Sequence, residues 1–414
     1  MFEQLFTQDW AVTQHRLAPH AGDRERYLRH LRDQHYTRSS LRGAARDLLA
    51  LVLQTDLAGR DHVHVSDIRE AVHRRRSLRR GPRRRCSIYT RESLRHTATA
   101  WFAFLGRLTP VHEPITHADA VVKQFGTFLS DQRGLARSTI EHYCCHAREL
   151  LKHLASSRRA LRQLRLEDVD SYMLARAASG WRRSSMPAVV GAVRSFLRFG
   201  ELRHLCASGL AAGVTPPRIY TDERLPEALD WPTVRRLIAS TRGNDPSNIR
   251  DRAILFLLSI YGLRCSEIES LRLDDIDWNN CIINVRRPKQ RHTQQYPLEG
   301  TTGRALLRYI RDARPQTASR HVFLNLLAPA RAITRISIYN AVRKRIRALG
   351  LQGPRRGPHA LRHACARRLL SRGFTFKQVG DHLGHRSSGA TRFYAKVDLT
   401  GLREVADINL RGLL

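Results

Sequence analysis

Acidic side chains are scarce in this chain. Its 414 residues carry 37 Asp and Glu against 72 Lys and Arg, a formal charge of +35 at pH 7. Like charges repel, so the excess contributes nothing to folding; it calls for a polyanionic partner, and nucleic acid is the expectation. Binding should weaken steeply with salt as counterions are released. Long apolar runs are also missing. The longest, Ala253–Ile260 extended through Tyr261 to Leu263, is interrupted by Ser and Gly and is too short to span a bilayer. No amphipathic basic helix with an aromatic face stands out, so no membrane partner is expected. The opening residues lack the basic-then-apolar order of a signal peptide, which points to the cytoplasm. Cysteines at metal-ligand spacing are absent too. Cys86, Cys144, Cys145, Cys206, Cys265, Cys281 and Cys365 are odd in number and contain no C-x-x-C. Neither a disulfide framework nor a zinc set is suggested, and no metal or other cofactor is expected. Most of the seven read as reduced, buried apolar residues. Cys365 lies on the apolar spacing of its helix and reads as core, not as a nucleophile.

What is present is globular: hydrophobic content is 42%, and the length allows two to four domains. Residues 1–110 read as mainly helical. Arg24–Leu53 has helical apolar spacing broken once, where Ser39 and Ser40 precede Leu41 at a helix start. Asp67–Val72 reads as a short helix with Ser66 as N-cap. The arginine run His73–Arg85, split by Gly81-Pro82, reads as a basic loop whose Arg83 and Arg84 meet nucleic-acid phosphate. Ser93–Leu108 closes the region as a helix with Trp101, Phe102, Phe104 and Leu105 on one face. Three segments then recur. Leu31-Arg-Asp-Gln34, Arg38-Ser-Ser-Leu41 and Ala45-Arg-Asp-Leu-Leu49 return as Leu129-Ser-Asp-Gln132, Arg137-Ser-Thr-Ile140 and Ala147-Arg-Glu-Leu-Leu151. Two tandem helical bundles, 25–108 and 117–205, are inferred.

In the second bundle Arg137-Ser138-Thr139 reads as a helix start whose amides and arginine face phosphate. Arg182 and Arg183, after Trp181, precede the helix Val189–Leu202 in the same style. Residues 206–230, with Gly209, Gly213, Pro216, Pro217 and Pro226, have no helical period and read as a linker. The last domain opens with a helix at Trp231–Ser240, capped by Asp230. A buried helix at Arg250–Tyr261 follows, ended by Gly262. Asp274–Asn280 marks a turn. Cys281–Val285 and Gln294–Leu298 form a strand pair whose hairpin carries Arg286, Arg287, Lys289 and Arg291. Gly300–Ala313 and Ile336–Leu349 are further helices.

The run from His359 to Tyr394 organises the rest. His359 and Arg362 stand three apart, His385 follows in Leu-Gly-His, and Tyr394 comes nine residues later. A cation, two imidazoles and a phenol on successive short helices are what phosphodiester cleavage by a protein nucleophile needs. The non-bridging oxygens require cations, and a bidentate arginine suits their geometry better than lysine. The leaving oxygen needs an acid, and the phenol needs a base or firm orientation. No step demands a metal or a nucleotide.

These motifs resemble the tyrosine recombinase, or phage integrase, family. The first family box stands as Tyr261-Gly-Leu-Arg264-Cys-Ser-Glu267-Ile-Glu-Ser-Leu271. Lys289 precedes Pro297-Leu298 at the family's spacing. The second box is His359-Ala-Leu-Arg362-His363, and Leu383-Gly384-His385 and Tyr394 complete the set. The resemblance covers about residues 117–400. It implies Tyr394 as the nucleophile of a 3′-phosphotyrosyl link, with Arg264 and Arg362 on the scissile phosphate. Lys289 becomes the acid for the 5′ hydroxyl, His359 assists proton transfer, His385 hydrogen-bonds the phosphate, and Glu267 supports the network. It further implies four protomers on two duplexes, with accessory DNA-bending or partner recombinase proteins as further partners and the bacterial nucleoid as location.

The expected fold is mainly α, with a small antiparallel sheet in the catalytic domain. Residues 1–112 form a helical domain that duplicates the core-binding bundle. Residues 113–208 form the SAM-like core-binding domain, 209–228 the linker, 229–400 the catalytic domain and 401–414 a tail for protomer contact. The helical N-terminal extension favours a mobile-element integrase over housekeeping resolution. Two other readings stay open: strand relaxation of the type IB topoisomerase kind, and a non-catalytic DNA-binding protein on the same scaffold.

Overall fold

The computed structural model describes residues 1–74, 88–109, 116–157, 160–181, 183–218, 229–287, 292–351 and 357–384. The chain divides into two compact units, Met1–Thr109 with Arg224–Leu414, and Pro110–Glu223. Among the described residues no helix is long and apolar enough to cross a membrane.

The N-terminal bundle contains α1 (Phe2–Leu5), α2 (Asp9–Leu17), α3 (Ala21–Asp33), α4 (Arg38–Gln54), β1 (Val63–His64), α5 (Val65–Arg74), α6 (Ile88–Phe104) and β2 (Leu108–Thr109). On α4 the buried residues Leu41, Ala45, Leu48 and Val52 recur every three or four positions, so one stripe faces the core. That stripe meets Leu28, Trp101 and Phe102 in a single cluster. The α4 start falls at Arg38, with Thr37 accepting from the Ser40 N–H at 3.2 Å. The next helix begins at Val65, and Asp67 rather than Ser66 closes its start, accepting from the His64 N–H at 3.0 Å. A longer carboxylate reaches back where a serine at the second helical position does not. The helix expected over Ser93–Leu108 starts earlier, at Ile88, and ends at Phe104 so that Leu108 can pair in parallel with Val63.

The second unit contains α7 (His117–Asp131), α8 (Arg137–Ser156), α9 (Leu166–Ala178), α10 (Met186–Leu202) and α11 (Leu210–Gly213). Phe125 packs against Phe196 and Phe199 with ring centroids 5.3 and 5.4 Å apart. The short α11 stands where a linker without helical period was expected. Ala211 and the following Val214 are buried in this bundle's core. Two apolar residues spaced by three are enough to dock one turn.

The C-terminal portion contains α12 (Trp231–Ala239), α13 (Pro246–Ile260), α14 (Cys265–Ser270), β3 (Ile276–Asp277), β4 (Ile282–Arg287), β5 (His292–Pro297), α15 (Gly300–Asp312), α16 (Arg335–Ala348), α17 (Pro358–Leu370) and α18 (Phe376–Leu383). Ala253–Ser259 of α13 is buried all round, which is why its sequence is apolar without a stripe. Helices α12, α15, α16 and α17 pack around it. The three strands form an antiparallel sheet in the order β3-β4-β5, with Ile283 opposite Tyr296. Ile276 and Asp277, expected in a turn, pair with Ile283 and Ile282. The short run carries only one apolar residue, too little for a strand signal by alternation.

The cysteines depart from expectation. Of the described ones only Cys206 and Cys365 are buried, Cys144 and Cys265 are half-buried, and Cys145 and Cys281 are exposed. Small thiols are tolerated at surface positions, so residue type alone does not place them.

His15 is buried in the N-terminal bundle, stacked on Phe2 and Phe6 at 5.0 and 4.6 Å. Its Nδ1 faces Arg24 Nη1 at 3.3 Å, and a guanidinium can only donate, so the imidazole is neutral. Burial first, then Arg24, pushes its pKa from 6.5 down to about 4. The unfolded chain takes up a proton that the folded bundle refuses. His15 therefore contributes full stability above pH 6.5 and loses it as pH falls toward 4. In thermal unfolding across this window the wild-type N-terminal transition should drop with pH, while a His15→Gln variant should start lower and follow a flatter profile.

Candidate active site

Gly262 ends α13 with φ of +60°, a left-handed conformation that lets the chain turn at once into α14. A Cβ there would come within 2.4 Å of Leu383, so the turn also brings α18 close. Arg264 stands two residues on and caps α14. Its N–H donates to Glu267 Oε2 at 2.8 Å, and its Nη1 donates to Glu267 Oε1 at 2.7 Å. Its Nη2 donates to the Gly384 carbonyl at 3.1 Å. One third of the Arg264 side chain stays exposed while Glu267 is buried. The carboxylate is thus spent on orientation, and the guanidinium keeps an open face.

Helix α17 carries the second cluster. Pro358 at its first turn lacks the N–H that would be orphaned there. His359 is exposed on that turn, and Arg362, one turn on, is buried. Arg362 donates through Nη1 to the Gly262 carbonyl and through Nη2 to the Leu383 carbonyl at 2.6 Å. The three-residue spacing puts His359 and Arg362 on one helix face.

A third arginine joins them that the sequence reading placed on an ordinary hairpin. Arg287 is 2% exposed, at the inner end of β4. Its Nη1 donates to Glu267 Oε1 at 3.2 Å and to the Leu383 carbonyl at 2.7 Å. Its Nη2 donates to the Tyr296 hydroxyl, which in turn donates to the His382 carbonyl. Burial pushes the Tyr296 phenol up to about 12, so it remains a neutral donor. The signal for Arg287 was available: Ile283, Val285 and Arg287 alternate on the inward face of β4. His382 was also missed. Its Nε2 lies 3.2 Å from the Ile260 carbonyl, and burial lowers its pKa. Cys365 is a buried residue whose thiol burial pushes up to about 12, in keeping with a core role.

All three arginines end on the last carbonyls of α18. A helix C-terminus leaves such carbonyls without backbone donors and carries partial negative charge, so cations satisfy both demands. Gly384 caps this helix with φ of +62°, and a Cβ there would lie 2.1 Å from the Arg287 guanidinium. His385 is the next residue in sequence. Lys289, His385 and Tyr394 lie outside the described residues, as do Arg83, Arg84 and Arg182 and the tail. In the second unit Arg137 is exposed and paired with Glu141 at 2.9 Å; Ser138 and Arg183 are exposed and Thr139 is half-buried.

Residues 227–400 match the phage integrase family, and residues 122–204 match the phage integrase N-terminal SAM-like domain. A putative integrase/recombinase of Sinorhizobium fredii, y4rA, is 35% identical over 323 residues, covering 76% of this chain and 77% of the relative. The tyrosine recombinase XerC of Mycobacterium leprae is 30% identical over 296 residues, covering 70% of this chain and 98% of XerC. The Tn1549 transposon integrase, solved with transposon right end DNA, shares the fold with a TM-score of 0.55 at 16% identity, over 69% of this chain and 98% of that one. The chain belongs to the phage integrase family of tyrosine recombinases and is a site-specific recombinase.

Removing Arg287 leaves the Tyr296 hydroxyl and the α18 carbonyls short of a donor and weakens the balance at Glu267. Arg287→Met should cost the catalytic domain about 3 kcal/mol in urea unfolding, as loss of one partner from a buried ion pair does. Arg286→Met should cost less, about 1 kcal/mol, because the Arg286 side chain is half exposed and the buried Asp275 keeps the Arg272 N–H at 2.8 Å.

Proposed function

We infer that this protein cuts and rejoins duplex DNA at a recombination site through a 3′-phosphotyrosyl intermediate on Tyr394. The observation that carries the reading is the convergence of Arg264 and Arg362 on the C-terminus of α18, with Glu267 holding Arg264. Two guanidiniums fixed by backbone carbonyls can hold the non-bridging oxygens of one phosphate, where charge builds as the phosphorane-like state forms. The Tyr394 oxygen attacks phosphorus as the bond to the 5′ oxygen breaks. His359 takes the phenol proton, and Lys289 supplies one to the departing 5′ oxygen. His385 adds a hydrogen bond to the phosphate. The new ester retains the energy of the old one, so rejoining by a second 5′ hydroxyl needs no nucleotide. The chemistry uses charge and proton transfer alone, so a metal ion is not required.

The biological setting that fits is integration, excision or transposition of a mobile element. The N-terminal bundle lies outside both family matches, 122–204 and 227–400, and is an addition to the core-binding and catalytic pair. Four protomers on two duplexes would carry out the exchange at the nucleoid, with or without accessory DNA-bending proteins.

Supercoiled DNA from the genomic neighbourhood of the gene, incubated with the protein and then denatured, should yield a covalent protein–DNA adduct. Tyr394→Phe should yield none, and an adduct that survived in it would sink the assignment of the nucleophile. Arg264→Ala should slow adduct formation by about 10²–10³-fold, as loss of a charge-stabilising donor does, while still binding the duplex.

A further inference from the structure

We propose that the N-terminal bundle carries its own binding site for the phosphate backbone of duplex DNA, built on Arg38, Arg42 and Arg46 of α4. The proposal goes beyond the recombinase reading and asks nothing of Tyr394.

The three arginines are four residues apart and share one helix face. With Thr7 and Ser39 they line a cavity of about 270 Å³ beside the start of α4. Several other arginines of this bundle are paired with acids: Arg29 with Glu25, Arg60 with Asp56 and Arg95 with Glu92. Among the described residues Arg38, Arg42 and Arg46 make no ion pair. The adjoining carboxylate, Asp47, instead accepts from Ser93 and Thr97 on α6. The Arg42 guanidinium lies over the Phe6 ring at 5.7 Å, and its Nε is buried with no hydrogen-bond partner. Like charges at this spacing destabilise a helix, so the row is held at a cost that an anion would offset.

The second bundle shows the contrast. Its helices α7, α8, α9 and α10 follow the order of α3, α4, α5 and α6, with a 3₁₀ turn after the second helix in each case. Aligning the buried pairs Ala45 with Ala147, Leu48 with Leu150 and Val52 with Leu154 sets Arg38, Arg42 and Arg46 against Ile140, Cys144 and Arg148. Arg148 is paired with Asp119 at 3.7 Å, and Arg137 at the start of α8 with Glu141 at 2.9 Å. The second bundle neutralises its α8 arginines; the first leaves a bare row.

Spacing selects the ligand. Residues four apart on a helix rise about 6 Å, so three charges extend over about 12 Å. One phosphate cannot span that row, whereas a DNA strand presents a phosphate about every 3.4 Å along its axis. The amides at the start of α4 add partial positive charge in the same direction. The arginine run at 73–85 belongs to the same bundle in sequence.

The test is a salt titration of full-length protein against a labelled random-sequence duplex. Replacing all three arginines (Arg38→Gln, Arg42→Gln, Arg46→Gln) should make the slope of log Kobs against log salt shallower by about 2.7, for three phosphates released. Replacing all three with Lys should keep the wild-type slope, because the charges remain. Thermal unfolding checks that both variants fold; a Gln variant that unfolds is replaced by Arg42→Glu alone, which should still flatten the slope. An unchanged slope in a folded Gln variant overturns the proposal. Loss of binding to phosphatidylserine vesicles with an unchanged DNA slope overturns it in favour of a lipid surface. A flattened slope with covalent adduct formation preserved separates this site from the one at Tyr394.

Discussion

Glu267 accepts from two guanidiniums while almost wholly buried, and the geometry of the candidate site depends on that carboxylate. A buried carboxylate without partners would be costly, as would a buried guanidinium. Placed together they offset each other only when the distances are short and the remaining N–H groups find acceptors. Those acceptors are the terminal carbonyls of α18. The same contacts therefore hold Arg264 toward solvent, keep Arg287 inside and anchor the end of α18.

Two glycines make this closeness possible. Gly262 and Gly384 both take positive φ, and both lie where a Cβ would overlap a neighbouring side chain. The backbone thus approaches Leu383 at Gly262 and Arg287 at Gly384 more nearly than any other residue would permit. Rigid donors around a fixed cluster of carbonyls suit a reaction in which charge appears briefly on phosphate oxygens, because little reorganisation is then needed.

Charge is unevenly managed along the chain. Between residues 229 and 384 Arg345 and Arg250 close on Asp251, and Arg320 on Asp274, so these three cations are tied to acids. With 72 basic against 37 acidic side chains, the positive balance rests on the cations that have no acid of their own. Such cations raise the local concentration of a polyanion and speed its encounter.

Much of this was legible in the residues. The helical spacing, the strand pair, the caps at Asp230 and the buried run of α13 follow from local periodicity, which depends only on neighbours in sequence. Arg264, Glu267, His359 and Arg362 could be singled out because their motifs are contiguous. The parts that could not be read were set by contacts between distant segments. Arg287 is separated from Leu383 by 96 residues, and only packing of β4 against α18 turns it from a hairpin cation into a buried strut. The brief strand at Ile276 exists because β4 is there to pair with it. The bare row on α4 is visible as three arginines in sequence, but whether acids reach them is decided by which way Asp47 turns. Sequence by itself determined the elements and the chemistry they carry; the tertiary structure decided which charges are satisfied, because a charge's partner is fixed by distance in space.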